Sequence, residues 1–122
     1  MAIEQDSGGA AGVLERLAAT IRARRSAAAD ASYTRQLLDA GVLRCAKKLG
    51  EEAVEVVIAS LKESDEALKG EAADLVYHLM VLLEARGVAI QDVLETLEKR
   101  MGLSGLEEKA GRSRTGSRGK ES

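Results

Sequence analysis

Lys48-Leu49-Gly50-Glu51-Glu52-Ala53-Val54-Glu55, followed by Gly70-Glu71-Ala72-Ala73-Asp74-Leu75-Val76-Tyr77-His78, carries the architecture of this chain. Both halves read as helix, and the break between them falls at Lys62-Glu63-Ser64-Asp65. Ser64 is a good N-cap, and Asp65 and Glu66 sit favourably in a first helical turn. Residues three apart share a helix face, so Glu52 with Glu55, and Glu71 with Asp74, each project two carboxylates from one side. Glu55 and Glu71 lie equally far either side of Glu63, as do Glu52 and Asp74. An antiparallel hairpin about that break predicts all four carboxylates at one level along its axis.

At 3.6 residues per turn, Lys48, Glu51, Glu52 and Glu55 fall on one sector of the first helix. Leu49, Ala53, Val54, Val57, Ile58 and Leu61 occupy most of the remainder. On the second helix Glu71, Asp74 and His78 share a narrow sector flanked by Leu75 and Leu82. Acids at helical spacing usually mark a solvated face. Mirrored spacing and apolar flanks set these four apart, because acids crowded against apolar walls do not all stay ionised without a cation. All-oxygen ligation points to a hard divalent ion, Mg²⁺ first and Mn²⁺ as substitute.

The two acidic motifs resemble those of the phosphoribosyl-ATP pyrophosphatase family, within the MazG-like all-α nucleotide pyrophosphohydrolases. The superfamily signature is E-x-x-E followed, after a helical hairpin, by E-x-x-D. The resemblance extends to Leu14-Glu15-Arg16-Leu17, Ile21-Arg22-Ala23-Arg24-Arg25, Ser32-Tyr33-Thr34 and Ser104-Gly105-Leu106-Glu107-Glu108-Lys109-Ala110, and so covers about Val13 to Arg112. It implies hydrolysis of phosphoribosyl-ATP to phosphoribosyl-AMP and pyrophosphate, the second step of histidine biosynthesis, by water attack at the α-phosphorus. It also implies a homodimer and gives Arg24, Tyr33, Thr34 and His78 weight as substrate-binding residues. Two departures stand out: Ala31 lies near a frequent proline, and Ala89 takes the place of a frequent serine cap.

Composition agrees with helices packed closely. The chain has 122 residues, 45% hydrophobic but only 2% aromatic, with no Trp, Phe or Pro. The core must therefore be Leu, Val and Ala, with Gly, Ser and Asp as punctuation. A net charge of −2 argues against a general nucleic-acid binder. Cys45 is alone, which excludes an intramolecular disulfide and fits a small buried side chain in a reducing cytosol. No run approaches a membrane span, and the expectation is a soluble, cytoplasmic protein.

In chain order, residues 1–10 read as a flexible leader, 11–110 as one all-α domain and 111–122 as a disordered basic tail. Within the domain the periodicity predicts helices over 11–25, 33–38, 42–62, 65–86 and 90–101. Ser32 is the expected cap of the second, Gly41 its end, and Gly87 the end of the fourth. Arg22, Arg24 and Arg25 either complement a helix dipole or meet phosphates. Gly50 and Gly70, each just before an acidic motif, mark either a close approach by helix or ligand or a tolerated loss of helix propensity.

Several chemistries fall away. His78 is the only histidine, against the two Glu-x-x-His motifs of a di-iron bundle. One cysteine and one histidine do not make a zinc site, and there is neither a P-loop nor a G-x-G-x-x-G. The zinc cyclohydrolase often fused to this family would need further cysteines, so a stand-alone enzyme is expected. Glu52, Glu55, Glu71 and Asp74 are the expected metal ligands, directly or through water. Glu51, one residue off their sector, is placed to orient or deprotonate the attacking water. Lys48 either contacts phosphate or balances the acids, and His78 is either an outer partner or a satisfied core histidine. The alternatives are a house-cleaning (d)NTP pyrophosphatase with the same metal site and a non-catalytic helical interaction module. Both long helices are apolar over more than one face, which predicts hairpins pairing into a four-helix core in a homodimer.

Overall fold

The computed structural model describes residues 9–28 and 32–102. Among them the chain forms helices and no strand: α1 Ala10–Ala23, α2 Tyr33–Ala40, α3 Val42–Lys62, α4 Asp65–Arg86 and α5 Ile90–Gly102. The fold is all-α, as the periodicity requires. Ala31, the motif from Ser104 to Ala110, the tail and nearly all of the leader lie outside the described residues.

The helix boundaries follow from local chemistry. Ser32 Oγ accepts the Arg35 N–H at 3.1 Å, and Ser64 Oγ accepts the Ala67 N–H at 3.2 Å. Each serine satisfies one of the donors that a helix start leaves open. Gly41, at φ 96°, turns the chain between α2 and α3, and Gly87, at φ 73°, ends α4 in the left-handed region. The first helix departs from expectation at its end, where Arg24–Ser26 tighten into a 3₁₀ turn before Ala27 becomes extended. Such a turn is a common way for the last carbonyls of a helix to find donors.

The chain divides into two compact units between Ile90 and Gln91. In the first, α3 and α4 share the largest helix–helix interface, and α1 and α2 lie against this hairpin. Ile21, Leu37, Leu38, Cys45, Ala59, Met80, Val81 and Ile90 are buried. Val81 is fully enclosed, and burying such a side chain stabilises by about 1.5–3 kcal/mol. On α3, by contrast, only Cys45 and Ala59 are buried. Val54, Val57, Ile58 and Leu61 stay open, Leu61 at 79% and Val57 at 57% exposure, as does Leu43 at 84%. The second unit begins in α5, which carries Asp92 in its first turn and Lys99 and Arg100 in its last, matching the helix dipole. Among the described residues no helix is long and apolar enough to cross a membrane.

Candidate active site

The turn at Glu63 sets the register of the acids. Glu63 N–H closes α3 on Ala59 O at 3.0 Å, and α4 starts from the Ser64 cap with Asp65 and Glu66 in its first turn. The two arms run antiparallel, and carboxylate oxygens of Glu52, Glu71 and Asp74 lie within 4.8 Å of one another. Three of the four expected ligands thus converge. Glu55 lies outside this trio and is exposed, yet its charge bears on Glu71.

Crowding has an electrostatic signature. The Glu71 carboxyl is held above its ordinary value, first by burial, then by the charges of Glu55, Asp74, Glu52 and Glu63. Removal from water and like charges both disfavour its ionised form. Lys48 supplies the counter-charge, with its Nζ 3.3 Å from Glu51 Oε1 and 3.9 Å from Glu52 Oε2. Its ammonium is raised first by the Glu51 hydrogen bond, then by Tyr33. In this arrangement Lys48 balances the acids, and Glu51 faces solvent while holding it.

Beside the acids lies a small polar network around His78. His78 is buried, its Nδ1 2.9 Å from Asp74 O and its Nε2 3.3 Å from the Tyr33 hydroxyl. A carbonyl only accepts, so in the neutral ring Nδ1 carries the proton and Nε2 accepts from Tyr33. Thr34 Oγ1 is hydrogen-bonded to the Tyr77 hydroxyl at 2.5 Å. Tyr33 stacks beside Tyr77 with centroids 6.5 Å apart and planes 24° apart, and Tyr77 meets His78 edge-on at 4.9 Å. Both nitrogens of His78 are engaged, which makes it a brace within the core.

The basic cluster stands at the C-terminal end of α1 and its 3₁₀ turn, where cations suit the helix dipole, and two of its members make a tie that the spacing does not announce. Arg25 donates from Nε to Glu84 Oε2 at 2.7 Å and from its guanidinium to Glu84 O at 2.9 Å, while Arg22 Nε lies 3.5 Å from Glu84 Oε1. These two arginines fasten α1 and its 3₁₀ turn to the C-terminal end of α4. Arg24 between them is exposed and makes no ion pair among the described residues. No local spacing announces Glu84, because its partner Arg25 is 59 positions away. Tyr77 was legible only as the neighbour of His78. Cys45 is buried with Sγ 3.3 Å from Leu37 O, and burial pushes its thiol up, so it is an inert packing residue.

The glycines before the acidic motifs have room around them. A Cβ on Gly50 or Gly70 would meet nothing within 4 Å among the described residues, so none of the described helices requires them.

The donor set suits a hard divalent cation. Three carboxylates converge, and their mutual repulsion is what such an ion relieves. Fold and site together define a class, an all-α hairpin whose acids meet from both arms. Within that class the chain belongs to the phosphoribosyl-ATP pyrophosphohydrolase family, whose family model matches residues 14–101. A phosphoribosyl-ATP pyrophosphatase of Erythrobacter litoralis is 58% identical over 99 residues, covering 81% of this chain and 95% of the relative. Proteins with the same name from Nitrobacter winogradskyi and Cereibacter sphaeroides are 55% and 52% identical, covering 80% and 82% of this chain and 84% and 97% of theirs.

Proposed function

We propose that the protein hydrolyses phosphoribosyl-ATP to phosphoribosyl-AMP and pyrophosphate, the second step of histidine biosynthesis, in the cytoplasm. The observation that carries this reading is the convergence of Glu52, Glu71 and Asp74 inside a chain of this family. Glu52, Glu71 and Asp74 hold Mg²⁺, or Mn²⁺ in its place, with Glu55 reaching it directly or through water. The bound ion supplies positive charge against the polyphosphate oxygens, which otherwise repel a nucleophile.

The chain's own groups do the rest. Glu51 orients the attacking water and takes its proton as oxygen bonds to the α-phosphorus and the bond to pyrophosphate breaks. Lys48, whose Nζ lies 3.3 Å from Glu51 and 3.9 Å from Glu52, holds the Glu51 carboxylate in place. His78 holds Tyr33 from inside the core, and Thr34 holds Tyr77. Arg24 is the cation of its cluster that makes no ion pair among the described residues, available to a phosphate. The test is pyrophosphate release from phosphoribosyl-ATP, ATP and a dNTP panel with Mg²⁺. Fastest turnover of phosphoribosyl-ATP supports the reading, and faster turnover of a common dNTP replaces it with the house-cleaning class.

The working unit in this reading is a homodimer. Support comes from the open row Val54, Val57, Ile58 and Leu61 along α3, with Val76 and Leu79 exposed on α4. Soluble monomers rarely leave a contiguous apolar face of this kind uncovered, and two-fold pairing of hairpins into a four-helix core is the commonest cover.

A further inference from the structure

We propose that Tyr33 is the platform on which the purine ring of the nucleotide stacks, with Tyr77, His78 and Thr34 holding it in place. The proposal rests on the nucleotide reading above and adds the part of the substrate that the acids do not address. Carboxylates and a cation account for phosphates, but a flat heteroaromatic ring needs an apolar or π surface. The whole chain has no Trp and no Phe, and its two tyrosines are Tyr33 and Tyr77. They come from helices more than forty positions apart and fold side by side, 6.5 Å between centroids and 24° between planes. Every residue of π surface in the chain, His78 included, is therefore gathered at one place.

That place adjoins the acidic trio by two routes. His78 joins the Tyr33 hydroxyl to the backbone of Asp74. Lys48 forms an ion pair with Glu52 at 3.9 Å and lies within electrostatic range of Tyr33. The exposure within the group is uneven. His78 is buried, whereas Tyr33 is 49% exposed. A core anchor would be covered, and an idle surface tyrosine would be untethered. Tyr33 instead has its hydroxyl fixed from within and Tyr77 beside its ring, so a base that lands on it orders no further side chain.

Stacking on such a ring is tolerant of base identity, because every base offers a π face. Tyr33 thus supplies affinity for a purine ring, and discrimination among purines falls to other groups.

The absence of Trp leaves tyrosine emission as a direct reporter, and in Tyr77→Phe that emission comes from Tyr33 alone. AMP, which presents a purine and one phosphate, is the probe, with ribose 5-phosphate and inorganic pyrophosphate as ring-free controls. The expected result is saturable quenching of Tyr33 emission by AMP and none by either control. Removing the ring in Tyr33→Leu is expected to weaken AMP binding by about tenfold or more, whereas Tyr33→Phe keeps it within a few-fold. With phosphoribosyl-ATP, Tyr33→Leu should raise KM and leave kcat within about twofold, since stacking is made equally in ground and transition states. Circular dichroism checks that Tyr33→Leu folds, and Tyr33→His restores a ring in case it does not. Equal AMP affinity in Tyr33→Leu, quenching by pyrophosphate alone, or no quenching by millimolar AMP in an enzyme active on phosphoribosyl-ATP each overturns the platform. Failure of the functional reading looks different: no pyrophosphate is released from phosphoribosyl-ATP by the wild-type protein.

Discussion

Burial and the surrounding acids hold the Glu71 carboxyl above its ordinary value of 4.5, so its ionisation works against the folded, metal-free chain. An acid raised in the fold contributes stability below its unfolded value, and that contribution is lost as pH rises through the raised one. In chelator, Glu71→Gln is therefore expected to melt above wild type at neutral pH, with the gap closing toward pH 4.5. Thermal melts across that range check it, and equal melting at pH 7 would refute it. Glu52→Gln removes charge from the same trio and is expected to cost about a hundredfold or more in turnover while leaving the chelated protein equally or more stable. The acids were readable because spacing on one helix is local information. The position of Glu55 outside the trio was not, because a helical wheel gives the sector of a side chain but not the rotation of two helices about each other. Pairings such as Tyr33 with His78, 45 positions apart, are likewise invisible to spacing.

Helices α3 and α4 begin and end where their punctuation puts them, and that punctuation should respond to substitution in proportion. Ser64→Ala removes the Ala67 N–H acceptor and is expected to cost about 1 kcal/mol in chemical denaturation. Gly87→Ala places a side chain at φ 73° and should cost about 1–2 kcal/mol. Gly50 and Gly70 run the other way. With open space at both, Gly50→Ala and Gly70→Ala should each stabilise an isolated chain by about 1 kcal/mol through helix propensity. Lost activity in those stabler variants would mean that a ligand or second chain comes close there. Elements were the most legible level of this protein, since caps, positive-φ glycines and periodicity are written within a few residues. The end of α1 was the exception: Arg24–Ser26 could extend the helix by propensity, and the docking of Arg25 on Glu84 accompanies a tighter turn.

For the molecule as a whole, the proposed homodimer places the open apolar row on α3 at its interface. Val57→Glu is expected to convert a dimer to monomer in sedimentation equilibrium at low micromolar concentration, and a wild-type monomer with full activity would remove the dimer from the reading. Exposure of that row was foreseeable from helices apolar on several faces, although which residues the chain leaves uncovered needed its packing. The clasp of Arg25 and Arg22 on Glu84 has a bearing on time as well as on strength. Hairpins joined by a short turn gather their contacts from nearby sequence and form early on the folding route, whereas a tie spanning 59 positions closes after the chain has collapsed around it. Glu84→Ala at fixed protein concentration should then quicken unfolding and leave the refolding rate close to wild type, moving one arm of the chevron only. Such a catch governs how long the native state lasts, and a protein subject to proteolysis in a cell lives or dies by that interval.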